Sequence, residues 1–135
     1  MRTLPNERLE LRLDAEAPSV AVARRKVGRF ADEHFGSTAG DIALAVSEAV
    51  SNVVMHAYRD GGGGSVRVVA CVYPDDLVVV VRDYGCGMRP NPASPGAGLG
   101  LSIIGATASA MNVERPDDGG TRIRLQFRRL DRAAA

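Results

Sequence analysis

The sequence has few aromatic residues and almost no net charge, and each shortage excludes a class of function. Aromatic residues make up 4% of the 135 residues and tryptophan is absent, so the stacking platforms of single-strand nucleic-acid binders are missing. The formal net charge of +1 gives no overall field that would hold the chain on nucleic acid or on an anionic membrane. We therefore predict no direct binding to nucleic acid.

Cysteines and long apolar runs are also scarce. Cys71 and Cys86 form no CxxC pair and have no histidines at a metal-binding spacing, so we interpret them as isolated buried thiols. No run of about 18 apolar residues occurs, and the first ten residues contain no signal-like apolar stretch. We therefore expect a cytoplasmic protein with no membrane segment.

In the N-terminal half, the hydrophobic patterns predict one strand and two helices. Leucines alternate with charged residues over residues 8–16, which is the period of a strand with one solvent-facing side. An amphipathic helix follows Pro18, and a second helix begins at Asp41 after a glycine break. The apolar stripe of the first helix is Val20, Ala23, Val27, Phe30 and Ala31, and its basic face is Arg24, Arg25, Lys26 and Arg29. The stripe of the second helix is Ile42, Ala45, Val46, Ala49, Val50, Val53 and Ala57.

In the C-terminal half, two strands over 65–73 and 77–82 are joined by a proline-containing turn, which predicts a hairpin. A loop rich in glycine and proline covers 83–100, and the last strand covers 121–128, with one more short strand near Val113. A third helix is predicted from the stripe Leu101, Ile104, Ala108 and Met111.

This order of elements indicates an α+β fold. We predict a two-layer α/β sandwich, in which helices cover one face of a mixed, mostly antiparallel sheet. A chain of 135 residues has room for one core, so residues 1–135 are predicted to form a single domain.

Two glycine clusters, residues 83–87 (DYGCG) and 96–101 (GAGLGL), lie in the long loop and at its end. Neither matches a common phosphate loop. The chain has no GxxxxGK[ST] motif, and a dinucleotide GxGxxG motif would need glycine where Leu101 or Ile103 stands. The second cluster directly precedes the predicted third helix, whose N-terminal amides could attract phosphate. Each cluster taken alone could equally serve only a tight turn.

Three polar residues accompany these clusters. Glu48 and Asn52 are spaced i, i+4, so they lie on one side of the second helix among apolar neighbours. Such a pair is more often a solvated face, but a carboxylate can accept a proton and an amide oxygen can bind Mg²⁺ beside phosphates. Asp83 supplies a further carboxylate where a strand meets the glycine loop.

Taken together, these motifs resemble the N box and glycine boxes of the GHKL (Bergerat-fold) ATPases. The matching segments, in chain order, are 47–56 (SEAVSNVVMH), 82–87 (RDYGCG), 98–101 (GLGL) and 120–121 (GT). Within that superfamily, the short chain and the form EAVSNVVMHAY resemble the anti-sigma factor serine/threonine kinases of bacterial partner-switching systems.

The resemblance implies a role for each matching position. Glu48 would be the general base, Asn52 the Mg²⁺ ligand, and Asp83 the acceptor for the adenine amino group, with Thr121 supporting it. His56 is interpreted as a structural histidine. The further residues expected to bind ATP are Gly85, Gly87, Gly98, Leu99, Gly100 and Leu101.

The family also implies partners. The protein would sequester a sigma factor and use ATP and Mg²⁺ to phosphorylate a serine or threonine of a STAS-type anti-sigma factor antagonist. Arg24 would contact both partners, and relatives suggest a homodimer.

One feature departs from the family. Only ten residues, 88–97, separate Gly87 from Gly98, and Arg89 is the one cation among them, whereas many of these kinases carry a longer, polar lid. ATP binding is therefore better supported than phosphoryl transfer. The alternative is a non-catalytic ATP-binding switch module. A sensor histidine kinase fragment would need a dimerisation helix pair before the first strand, where only seven residues stand.

Overall fold

The computed structural model describes residues 4–36, 38–58, 63–85 and 108–129. The strands in these ranges are β1 (Glu7–Asp14), β2 (Ser65–Val72), β3 (Asp76–Asp83), β4 (Ala110–Glu114) and β5 (Thr121–Arg128). The helices are α1 (Ala17–His34) and α2 (Ala39–Asn52), and a π-helical turn, Val53–Ala57, continues directly from α2. Cys86, Gly87 and the glycine box 98–101 lie outside these ranges.

The five described strands form one sheet in the order β1-β2-β3-β5-β4, and the described ladders are all antiparallel. The expected hairpin joins β2 to β3, where the Tyr73 N–H donates to the Asp76 carbonyl at 2.8 Å. β5 pairs with β3 and brings Thr121 opposite Asp83. The predicted α+β architecture is therefore confirmed.

Both helices pack on the same face of the sheet. Their predicted apolar stripes are buried, apart from Val20, which is half-buried. They meet residues that alternate along the strands with the solvent-facing side chains. These core-facing sheet residues include Leu11, Val66, Val68, Leu77, Val79, Ile123 and Leu125. The two helices approach closely at Gly28, where an added Cβ would lie 3.2 Å from the Ala43 Cβ.

The end of the predicted third helix is wrong. Met111 belongs to β4 and pairs with Leu125 of β5, and the expected short strand near Val113 is this same strand. The spacing of Ala108 and Met111 fits a helix locally, but Met111 and Val113 also alternate as strand residues do. Pairing with β5 decides between the two patterns.

The structure also bears on two smaller expectations, the burial of Cys71 and the lack of a membrane segment. Cys71 is a free cysteine but is only half-buried, because it lies on the face of the sheet opposite the helices. Within the described ranges, neither helix combines the length and the apolar character that a membrane span requires.

Candidate functional site

The central feature of the site is the carboxyl group of Asp83 at the end of β3. Its side chain is fully buried, and Oδ1 accepts a hydrogen bond from the Gly85 N–H at 3.1 Å. The other oxygen, Oδ2, is also buried and has no hydrogen-bond donor among the described residues. Since a buried carboxylate oxygen without a donor is costly, this atom is suited to receive an N–H from a ligand.

Burial controls the charge state of this group. Removal from water raises the pKa of Asp83 above its ordinary value, because the charged form loses solvation. Backbone hydrogen bonds from Gly85 and Thr121, together with the positive charge of Arg82, lower the pKa without cancelling the rise. The site therefore holds a desolvated acceptor that a hydrogen-bonding ligand would stabilise in its charged form.

The start of β5 is fixed against this carboxylate. Thr121 is fully buried and stands opposite Asp83 in the β3–β5 ladder. Gly120 has a positive φ of 76°, and a Cβ at this position would lie 2.1 Å from the Asp83 carbonyl oxygen. Only glycine fits here, because both the backbone conformation and the close approach exclude a side chain.

The glycine loop also touches the end of the second helical segment. A Cβ on Gly85 would lie 2.1 Å from the Ala57 carbonyl oxygen, in the last residue of the π-helical turn. This contact brings the C-terminal end of the helical segment next to Asp83. Glu48, half-buried, and Asn52, buried, lie one turn apart on α2, directly before the π-helical turn. Turns of this kind often occur at functional sites.

Tyr58 connects three parts of the site. Its hydroxyl donates to the Ser65 carbonyl at 2.6 Å and accepts from the Tyr84 N–H at 2.9 Å. The side chain therefore joins the end of the helical segment to the beginning of β2 and to the residue after Asp83. No pattern in the sequence predicts this role for Tyr58, because its partners come together only when the strands are assembled.

Arg82 holds the turn that leads into β5. Its Nη2 donates to Asp118 Oδ1 at 2.8 Å and to the Gly119 carbonyl at 3.2 Å. The guanidinium also lies over the Tyr84 ring, 4.8 Å from its centroid. The contact with Arg82 lowers the pKa of Asp118. Arg82 thus fixes the segment that carries Gly120 and Thr121, from the side of the sheet opposite the helices.

Among the predicted site residues, the structure brings Asp83, Gly85 and Thr121 together. It places Ala57, at the end of the helical segment that follows Asn52, against Gly85. Five expected ATP-binding residues, Gly87, Gly98, Leu99, Gly100 and Leu101, lie outside the described residues. Groups of histidine, cysteine, aspartate or glutamate that could hold a metal are absent from the described residues. The Asn52 amide oxygen is the expected Mg²⁺ ligand, and such an ion takes its other ligands from nucleotide phosphates and water.

Arg24 lies away from this carboxylate, on the exposed basic face of α1. It borders an open groove of about 390 Å³ between the two helices. Ser47 of α2 lines the same groove and directly precedes Glu48.

Comparison with known families agrees with this fold. Residues 13–127 match the family model described as "Histidine kinase-like ATPase domain". The chain belongs to this family, which confirms the resemblance to the GHKL ATPases.

Three proteins of known name show which members of this family the chain is similar to. The chain is 30% identical over 129 residues to an "Anti-sigma F factor" of Clostridium acetobutylicum, covering 86% of this chain and 90% of that protein. It is 31% identical over 94 residues to an "Anti-sigma F factor" of Clostridium novyi, covering 62% and 66%. It is 27% identical over 139 residues to a "Serine-protein kinase RsbW" of Bacillus cereus, covering 90% and 85%.

Proposed function

We propose that this chain is an ATP-dependent protein serine/threonine kinase that also sequesters a sigma factor. The names of its relatives, "Anti-sigma F factor" and "Serine-protein kinase RsbW", support both halves of this function. We propose that it acts in the cytoplasm, where sigma factors and ATP are found, as a single domain of residues 1–135.

The observation that carries the proposal is the buried Asp83 Oδ2, which has no donor among the described residues. Adenine presents an amino group that can donate to a carboxylate, whereas guanine presents a carbonyl at the same position and would oppose two acceptors. Asp83 would therefore select ATP over GTP, with Thr121 supporting the carboxylate. Residues Gly85, Gly87, Gly98, Leu99, Gly100 and Leu101 would complete the nucleotide site.

In the proposed reaction, a serine or threonine hydroxyl of a STAS-type antagonist attacks the γ-phosphorus of ATP. The new phosphoester bond forms as the bond from the γ-phosphorus to the bridging oxygen breaks, and ADP leaves. Glu48 accepts the proton of the attacking hydroxyl. Asn52 would hold Mg²⁺, which would neutralise charge on the phosphates.

Nucleotide selectivity gives the first test. Calorimetry should show that the protein binds ATP more tightly than GTP, and that Asp83→Asn weakens ATP binding by about 1.5 to 3 kcal/mol. Asp32→Asn is the matched control, because it makes the same change in an exposed carboxylate of α1. Equal affinity for both nucleotides, or no loss with Asp83→Asn, would overturn the adenine assignment.

Phosphoryl transfer gives the second test. Purified protein is incubated with labelled ATP, Mg²⁺ and candidate small antagonist proteins, and the products are searched for phosphoserine and phosphothreonine. Glu48→Gln should slow transfer by about two orders of magnitude or more while ATP still binds, and the exposed Glu33→Gln should not. Asn52→Ala should instead weaken Mg²⁺-dependent ATP binding, with exposed Asn112→Ala as its control.

The phosphoryl-transfer assay and the ATP-binding measurement together distinguish the possible outcomes. Wild-type transfer by Glu48→Gln would reject this residue as the base. ATP binding without transfer to any antagonist would reject the kinase and leave a nucleotide-dependent switch.

We also propose that the protein is a homodimer, as the resemblance to the anti-sigma factor kinases implies.

A further inference from the structure

Arginines form a row across the outer face of the sheet, the face opposite α1 and α2. The strand pairings place Arg12 opposite Arg67, Arg67 opposite Arg82, and Arg82 opposite Arg122. Because neighbouring strands lie about 4.8 Å apart, these four backbone positions span only about 14 Å. Like charges directly opposite one another destabilise a sheet, so folding alone does not account for this arginine row. By strand alternation, the same face also carries Arg8, Arg124 and Arg128.

A small cavity lies within the arginine row. Its lining residues are Arg67, Val69, Val80, Arg82, Tyr84 and Arg122, and its volume is about 80 Å³. Sites for drug-sized ligands have volumes of about 300 to 1,000 Å³. One water molecule takes about 30 Å³ in the liquid. The cavity therefore fits an ion or a chemical group of a few non-hydrogen atoms, and not a whole nucleotide.

The guanidinium groups of the cavity keep N–H donors for such a group. Arg67 donates through Nε to Glu10 at 2.7 Å, and Arg122 donates through Nη2 to Glu114 at 3.1 Å. Arg82 donates through Nε and Nη2 to its neighbours. Since a guanidinium has five N–H groups, each of these arginines retains donors that have no acceptor among the described residues.

The charges around the cavity do not balance. Arg12 stands opposite Arg67, and Arg124 stands opposite the cavity residue Val80. These two and the three cavity arginines form ion pairs with three carboxylates among the described residues, which leaves an excess of two positive charges. The three carboxylates are Glu10, Glu114 and Asp118. Burial strengthens the effect of this excess, because Arg82 is only 11% exposed and two valines line the cavity.

We infer that this cavity binds a phosphate group, either as inorganic phosphate or as the monoester group of a larger molecule. A phosphate group carries about 1.5 to 2 negative charges at neutral pH, which matches the excess of positive charge. Its oxygens can accept from several guanidinium groups at once, since the planar fork of arginine fits phosphate. A carboxylate has one charge and two oxygens, and would leave part of the cavity unbalanced.

The inferred site is separate from the proposed nucleotide site. Arg82 and Arg122 directly flank Asp83 and Thr121 in the sequence, but successive side chains of a strand point to opposite faces. Asp83 and Thr121 are fully buried on the side of the helices, whereas the cavity opens on the outer face. The inference therefore goes beyond the proposed function and does not depend on it.

Nuclear magnetic resonance of the full chain locates the bound group. Titration with sodium phosphate should shift the side-chain Nε–H signals of Arg67, Arg82 and Arg122, and should leave that of Arg24 on α1 unchanged. Sodium chloride at equal ionic strength corrects for salt, and sodium acetate tests a carboxylate. O-phosphoserine distinguishes the two sources of phosphate, because only a cavity open to monoesters binds it as tightly as inorganic phosphate.

Three variants test the charges individually. Arg122→Gln removes one guanidinium and should weaken phosphate binding about tenfold or more. Glu114→Gln removes the carboxylate that competes for Arg122, so it should instead strengthen phosphate binding. Arg128→Gln is the matched control, because it makes the same change on the outer face at the far end of β5. Circular dichroism checks that each variant is folded.

Several results would overturn the inference. One is that phosphate shifts the arginine signals no more than chloride does, and another is that acetate binds as tightly as phosphate. Equal phosphate affinity of Arg122→Gln and Arg128→Gln would also reject the cavity. Shifts confined to the surroundings of Asn52 and Asp83 would place phosphate in the proposed nucleotide site instead. The ATP-binding and phosphoryl-transfer measurements report separately on the proposed function.

Discussion

At Asp83, burial and hydrogen bonding act on one carboxyl group in opposite directions. Desolvation raises its pKa, and the N–H groups of Gly85 and Thr121 oppose that rise. The group keeps one oxygen, Oδ2, for which the described part of the chain provides no donor. The fold therefore carries an unfavourable buried charge at the position where we propose that adenine binds.

The raised pKa predicts a pH dependence of stability. Between the ordinary value of 3.8 and the raised value, the folded state binds more protons than the unfolded state, so this group's contribution to stability falls as pH rises. Asp83→Asn removes that contribution. The free energy of unfolding of the variant minus that of wild type should therefore increase from about pH 4 to about pH 7 in urea titrations without nucleotide.

Asp118→Asn is the control for this measurement, because the contribution of Asp118 to stability changes with pH in the opposite direction to that of Asp83. Arg82 lowers the pKa of Asp118, so this carboxylate contributes stability that is present above its ordinary pKa and is lost as pH falls. The difference for Asp118→Asn should instead decrease as pH rises from about 2 to about 4 and stay nearly flat from about pH 4 to about pH 7. A flat difference for Asp83→Asn would contradict the raised pKa.

Gly120 gives a prediction that separates steric contact from backbone strain. Gly119 and Gly120 both have positive φ, but a Cβ meets no atom within 4 Å at Gly119 and lies 2.1 Å from the Asp83 carbonyl at Gly120. Gly120→Ala should therefore cost about 2 kcal/mol more than Gly119→Ala, because a rigid backbone contact adds to the strain of φ. Urea unfolding compares the two variants, and equal losses would reject the contact.

At the scale of elements, the pairing of α1 with α2 depends on a small residue at the crossing point. A Cβ on Gly28 would lie 3.2 Å from Ala43, so a larger side chain must separate the helices. Gly28→Leu should destabilise the fold by about 1 to 3 kcal/mol. Gly40→Ala, where a Cβ meets nothing within 4 Å, should change stability by at most about 1 kcal/mol. Similar thermal unfolding of the two variants would contradict close packing at Gly28.

At the scale of the whole molecule, the charges are distributed unevenly although the net charge is +1. One basic surface is the outer face of the sheet, and the other is the exposed side of α1, where Arg24 borders the groove shared with Ser47. Arginine suits a surface that two partners use in turn, since its planar fork binds carboxylates bidentately.

Arg24→Ala tests this proposed partner surface. Because Arg24 is exposed, the change should leave the melting temperature and ATP affinity nearly unchanged. Binding of the cognate sigma factor should weaken by about 2 kcal/mol or more in calorimetry. Lys26→Ala, on the same exposed helix face, is the control. If the folded Arg24→Ala protein bound the sigma factor with wild-type affinity, this helix face would not be a partner surface but an ordinary solvated one.

Local periodicity determined most of the described elements. The leucine alternation of β1, the buried stripe of α2 and the alternation over Thr121–Arg128 could all be predicted, because each depends on residues close together in the sequence. The motifs around Asn52 and Asp83 also sufficed to identify the family, since their residue types and order are specific.

Only the tertiary structure decided the features that depend on distant residues. Met111 became part of a strand because β5 offered a ladder partner, which its own spacing could not reveal. Tyr58 acquired its role from Ser65 and Tyr84, seven and 26 residues away. The isolated Oδ2 of Asp83 arises because the sheet, the glycine loop and the helical segment meet there. Burial and hydrogen-bond satisfaction are properties of that meeting, so a linear pattern cannot contain them.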